Sequence, residues 1–184
     1  MVHELTTQPV WAEVLTTDAL REHLRVDHTE ENTLIEAYRA AALQYIQATT
    51  GVVLGDVAGT IYVDHWQPLW LPIGPITAIT SVTYTTGEDT TETLPTTQWW
   101  ADIVGQRARV RFDNPPALYD YALNRVQIHV NVGYPEAEAP APLVQAARLL
   151  VAHFYENRQN GDVRQLAEIP MGVTYMLAPY RIIV

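Results

Sequence analysis

The sequence predicts an α+β chain: a small helical bundle, built from an N-terminal helix pair and a C-terminal helix, with an inserted antiparallel β domain and a C-terminal arm. Three observations carry this. Apolar residues recur at helical spacing at Leu20 and Leu24, from Leu34 to Ile46, and again from Leu143 to Phe154. Between these stretches ten of the twenty threonines fall between Thr77 and Thr97, among valines and aromatics, a composition that suits half-buried strands. The two N-terminal helices cannot bury their apolar stripe by themselves, so the third is expected to return onto them and leave the strands as an insertion. The expected organisation is a single domain over 1–184, with a helical part at 15–51 and 141–160, a β insertion at 52–135 and an arm at 161–184.

The first helix is announced by Leu15-Thr16-Thr17-Asp18, where Thr16 is a suitable N-cap and Asp18 lies in the first turn, where the helix dipole favours a carboxylate. It should last about two turns. Asp27 followed by Glu30 has the spacing of a capping box and is expected to open a longer helix running through Thr50. Leu34, Ala37, Ala41 and Tyr45, flanked by Ile35, Tyr38, Ala42 and Ile46, form its apolar stripe. Gly51 supplies the left-handed position that commonly ends a helix. Strands are predicted at Thr60 to Trp66, Leu69 to Leu71, Ile79 to Thr86, Thr90 to Leu94, Gln98 to Asp102, Arg107 to Phe112 and Arg125 to Val132. Gly87-Glu88-Asp89 reads as a hairpin turn. Pro115-Pro116 must interrupt the sheet, since consecutive prolines offer no backbone donor. Pro142 suits the first position of a third helix, which is expected to end near Asn160-Gly161. In the tail, Val173, Met176, Leu177 and Tyr180 share one face of a short helix that Pro179 stops.

Composition narrows the chemistry. All eleven basic residues are arginine, cysteine is absent, and Ser81 is the only serine. A phosphate loop with its lysine, Schiff-base lysines, cysteine nucleophiles and thiolate zinc sites are therefore excluded. Ser81 stands in the alternating run Ile79-Thr80-Ser81-Val82-Thr83, without the glycines of a nucleophile elbow. The chain is expected not to be an enzyme, with no catalytic residue, no cofactor and no metal. A formal charge of -10 disfavours wrapping of nucleic acid. No stretch approaches the roughly 20 apolar residues of a membrane span, and the first residues lack the basic and apolar regions of a signal peptide, so the expectation is a chain made and kept in a cytoplasm, without a membrane partner.

Several groupings have both a chemical and a structural reading. His23 with His28, and His153 with Glu156, have ligand-like spacing, but a metal centre in a bundle needs such motifs from several helices, so hydrogen-bonded histidines are the expectation. Arg107, Arg109 and Arg111 alternate with Ala108, Val110 and Phe112, which aims three guanidinium groups from one strand face. The favoured reading is a solvated face paired with local acids, because three arginines in so acidic a chain cannot make an extended electrostatic track; the functional reading is a row aimed at phosphates or at carboxylates of a partner chain, which makes the three candidate contacts between subunits. The carboxylates crowding the first 36 positions read as solvated helix faces. Trp66, Trp70, Trp99 and Trp100 fit core and interface packing, or alternatively a platform for a sugar or base.

Three blocks together resemble the head-tail connector (adaptor) proteins of long-tailed bacteriophages and gene transfer agents, in the group that carries a β insertion between its helices. They are Leu15-Thr16 with His23-Leu24-Arg25-Val26-Asp27 and the Tyr45 to Gly51 helix end; Val144 to Arg158, including Leu149-Leu150-Val151-Ala152-His153-Phe154-Tyr155-Glu156-Asn157-Arg158; and Ile169-Pro170-Met171-Gly172-Val173 with Leu177-Ala178-Pro179-Tyr180-Arg181. The middle matches mainly in pattern, and Trp99-Trp100 and the arginine row carry no part of the resemblance. The resemblance implies a structural virion part located in the head-tail neck and assembled in the host bacterial cytoplasm. It implies a ring of twelve neighbouring copies under the portal protein, extending a channel through which DNA passes without specific binding, and meeting a stopper or tail-completion protein. The family's C-terminal arm reaches the portal, so Val173, Met176, Leu177, Tyr180, Arg181, Ile182 and Ile183 are the implied docking residues. The alternatives are another tail-joining or stopper protein, and a carbohydrate- or ligand-binding module using the tryptophans.

Overall fold

The computed structural model describes residues 2–6, 9, 11–87, 90–105, 107–134, 138–157 and 170–182. Among them the order of elements is mixed α+β: β1 (Val2–Leu5), α1 (Trp11–Val14), α2 (Thr17–Leu24), α3 (Asn32–Thr50), seven further strands, then α4 (Ala141–Glu156) and α5 (Met171–Leu177). The strands after α3 are β2 (Val57–Val63), β3 (Leu69–Trp70), β4 (Ile76–Gly87), β5 (Thr90–Thr93), β6 (Trp99–Val104), β7 (Arg107–Phe112) and β8 (Val126–Val132). The α+β class, with helices at both ends of the sequence and strands between, is as the sequence predicts. The described residues among 10–55 and 134–181 form one compact unit, which is helical; those among 1–9, 56–133 and 182–184 form the other, which is β.

In the helical unit, α2 begins where the sequence places it. Thr16 is extended, and its hydroxyl accepts from the Ala19 amide at 3.2 Å, a cap of the kind that contributes about 1 kcal/mol. The opening of α3 differs from expectation. Its N-cap is Glu31, with no capping side-chain bond, and the helix starts at Asn32. Asp27 and Glu30 are exposed in the turn before it, where Glu30 lies 3.1 Å from His28, so the predicted box does not form. The Glu31 carboxylate instead accepts from the Tyr155 hydroxyl of α4. The buried stripe of α3 is Ile35, Ala42, Leu43, Ile46 and Thr50, whereas Ala37 and Ala41 are exposed. The buried face is thus rotated from the predicted one, because two neighbours, α2 and α4, both pack on this helix. At its end Gly51, at φ 75°, donates to the Gln47 carbonyl in the left-handed geometry that only glycine adopts without cost.

Leu143, Ala146, Ala147, Leu150 and Val151 of α4 are buried, as their spacing predicts. Tyr38 of α3 and Phe154 of α4 meet at 6.3 Å between ring centroids. α4 starts at Ala141 and is helical through Glu156; the expected end near 160 lies outside the described residues. Leu54 and Tyr134 form an isolated parallel bridge, so the chain leaves the helical unit and re-enters it side by side.

The β unit holds two antiparallel sheets, one of five strands in the order β1-β2-β8-β4-β5 and one of three in the order β3-β7-β6. Alternation is complete in β2 and β8, whose inward residues Val57, Ile61, Val63, Val126, Ile128, Val130 and Val132 are buried. The outer face of the five-stranded sheet is polar. There His129 of β8 sits between the hydroxyls of Thr60 and Thr83, each at 3.1 Å. Trp66 ties the sheets together: its ring meets Tyr84 of β4 and Phe112 of β7, and its indole N–H donates to the Pro116 carbonyl at 2.7 Å. The prolines at 115 and 116 lie outside any strand, as expected. The arms of the predicted hairpin, β4 and β5, pair antiparallel, while Glu88 and Asp89 lie outside the described residues.

Candidate functional site

The C-terminal arm is built on α5, a helix of under two turns that Pro170 precedes and that passes into a 3-10 turn at Ala178–Tyr180 containing Pro179. Proline cannot donate within a helix, so the α-helical bonding stops there. The docking residues implied by the family resemblance divide into two groups. Val173 and Leu177 are buried against α3 and α4, so they anchor the arm within its own unit and do not offer a free surface. Met176, Tyr180 and Ile182 are half-buried and Arg181 is exposed; Ile183 lies outside the described residues. Outward on the same helix stand Met171 and Tyr175, 71% and 72% exposed, which the sequence pattern did not single out. Residues four apart share a helix face, so these two form one outward patch.

The second surface is the open face of the three-stranded sheet. β7 alternates with Ala108 and Val110 buried and Arg107, Arg109 and Arg111 exposed, as predicted from its six residues. The register sets Trp100 opposite Arg111, Asp102 opposite Arg109, Val104 opposite Arg107, and Trp70 of β3 opposite Arg109 on the other side. The guanidinium carbons of Arg107 and Arg109 lie 5.1 and 5.8 Å from the Trp70 ring centroid, and that of Arg111 lies 5.1 Å from Trp100. These are cation–π distances. Among the described residues, no carboxylate forms an ion pair with Arg109 or Arg111. Arg109 and Arg111 are therefore neither bare nor neutralised by local acids, and all three guanidinium groups of the row are laid over aromatic rings.

The tryptophans do not form one platform. Trp66 belongs to the core, Trp99 is half-buried, and the exposed Trp70 and Trp100 are covered by guanidinium groups. Ser81 lies within β4. His23 is exposed, and the ring of His153 is 3.3 Å from the Asn157 amide nitrogen. Among the described residues no three His, Asp or Glu side chains are grouped to hold a metal ion.

A third feature escaped the sequence pattern. In the loop between β7 and β8, Tyr121 and Leu123 are 89% and 86% exposed. The base of the loop is fixed by bonds from the Asn124 amide to Asp64 at 2.7 Å, from Arg125 to Asp120 at 3.0 Å and from the Tyr119 amide to the Thr85 carbonyl at 3.0 Å. Two large apolar side chains this exposed on a braced loop are a candidate contact with another chain. The sequence signal was weak: an aromatic and a leucine after a double proline, without strand alternation.

No family model and no curated protein matches the chain. Solved structures do. A chain in the neck of an empty gene transfer agent particle, computed with C6 symmetry, aligns with TM-score 0.83 and 22% identity over 100% of this chain and 97% of its own length. A chain of the native gene transfer agent virion gives the same values. A third, in the native neck computed with C12 symmetry, aligns with TM-score 0.76 over the same extents. The chain has the fold of these neck and virion chains from end to end.

Proposed function

We propose that the chain is a structural, non-enzymatic head-tail connector of a phage-like particle, forming a ring under the portal that extends the DNA channel and joins head to tail. The observation that carries this reading is the likeness over the whole chain, helical unit, β unit and arm included, to chains of a gene transfer agent neck. Necks solved with C6 and C12 symmetry support an arrangement of repeated copies about one axis, with twelve as the proposed number. Closure of such a ring requires heterologous contacts, hence two unlike faces on every copy. The arginine row of β7 is one proposed subunit contact. The arm, through Met171, Tyr175, Met176, Tyr180, Arg181 and Ile182 with the segment through Ile183, is the proposed portal-docking element. A stopper or tail-completion protein is the further proposed partner, with the exposed Tyr121 and Leu123 as a proposed contact. A role of this kind uses no lysine, cysteine or serine chemistry, in keeping with the composition.

Removal of the gene from a producing strain tests the role. Filled heads and free tails should accumulate unjoined, with joining restored when the chain is supplied in trans. Intact tailed particles in its absence would contradict the reading.

A further inference from the structure

The open face of the β3-β7-β6 sheet has the make-up of a binding surface rather than of a solvated one. Tryptophan and arginine are the residue types that most often carry binding energy at interfaces, and here they are interleaved with the exposed Val104 at the strand edge. Between Trp100, Ala101, Asp102, Arg109 and Arg111 lies an open hollow of about 200 Å³. A guanidinium held over an indole loses side-chain freedom before any partner arrives, which lowers the cost of ordering it on binding. Its in-plane donors remain suited to a forked bond with a carboxylate.

The charge pattern identifies what fits. The chain has 21 acidic residues against 11 arginines, yet β7 places three of those arginines within five positions on one face. A second copy thus carries nearly twice as many acidic as basic residues. The densest run among the described residues is the α2–α3 turn, with Asp27 and Glu30 exposed and Glu31 beside them. Glu30 is held below the usual carboxylate range, first by a hydrogen bond with its own backbone amide and also by nearby His28. Duplex DNA fits less well, since a chain of charge -10 is repelled by it at long range and three arginines fall short of the roughly 6–10 phosphate contacts of a typical binder.

We infer that the Arg107–Arg109–Arg111 face, with Trp70 and Trp100, receives the Asp27–Glu30 turn of the next copy. The inference rests on the ring reading and supplies its two unlike faces.

Because the chain contains no cysteine, single cysteines report the contact unambiguously. Asp102→Cys chains and Thr29→Cys chains, mixed and treated with a short bis-maleimide, should give a mixed dimer. Adding Arg109→Glu and Arg111→Glu to the first chain should lower its yield at least tenfold, and adding Asp27→Arg and Glu30→Arg to the second should restore it, which also shows that the reversed chain is folded. No mixed product, or a yield indifferent to charge reversal, overturns the inference. So does binding of a short fluorescein-labelled duplex that the same reversal abolishes. The mixture is run with and without portal: a charge-dependent product without any portal ring counts against the neck reading alone, and a portal ring without the product counts against this contact alone.

Discussion

Exchanging Met171 and Tyr175 for glutamate should abolish capture of the chain by the portal of its particle, weakening binding by at least about a hundredfold while changing unfolding free energy by less than about 0.5 kcal/mol. Both side chains stand out from α5 and make little use of the chain's own core. Placing two carboxylates there leaves folding alone but puts unpaired charge into any apolar contact the arm makes, which is costly once water is excluded. Pull-down or surface plasmon resonance on immobilised portal, beside urea unfolding of the same samples, checks both halves. Unchanged portal binding would remove the arm from the interface.

The companion experiment acts on the opposite side of the same helix. Leu177→Ala should destabilise the helical unit by about 2–5 kcal/mol, the usual range for emptying a fully enclosed leucine site. Leu177 is 1% exposed, and α5 rests on both α3 and α4. Under conditions where the variant remains folded, portal affinity should stay within about threefold of the original, since the outward residues are intact. Urea or thermal unfolding reads the first value and a titration with portal the second. A loss of docking with no loss of stability would mean that Leu177 itself reaches the partner. Removing the whole segment after residue 170 cannot separate these effects, because it deletes two core residues, Val173 and Leu177, along with the proposed docking surface.

The arm shows where sequence reading stops. Helical spacing groups Val173, Met176, Leu177 and Tyr180, but a short helix considered alone does not reveal whether that face meets its own core or a foreign one. Only the placement of α3 and α4 decides that Val173 and Leu177 turn inward and Met171 and Tyr175 outward. The arginine row was legible for the opposite reason. Alternation in Arg107 to Phe112 fixes which side chains face together whatever the sheet order, whereas the cover supplied by Trp70 and Trp100 depends on pairing with strands nearly forty positions before and several before.

Two elements were hidden because they depend on distant partners. Val2-His3-Glu4-Leu5 has too little periodicity to announce a strand, yet it pairs with β2, where a Cβ at Gly59 would come within 3.1 Å of the Glu4 carbonyl oxygen. The absence of a side chain at 59 lets the edge strand approach. At the start of α3, the Asp27 and Glu30 spacing suggested a capping box; the chain instead places the helix start at Glu31, whose carboxylate takes the Tyr155 hydroxyl from a helix more than a hundred residues away. The outer ends of α2 and α3 and the buried positions of α4, by contrast, follow from local caps and spacing.

Electron microscopy of the purified chain mixed with the portal of its own particle tests the connector reading most directly. The chain alone should be monomeric or weakly associated, and with portal it should form a co-axial ring of twelve copies bound through the C-terminal arm. A chain that leaves portal particles bare at saturating concentration, or that decorates them without a shared axis, would contradict that reading.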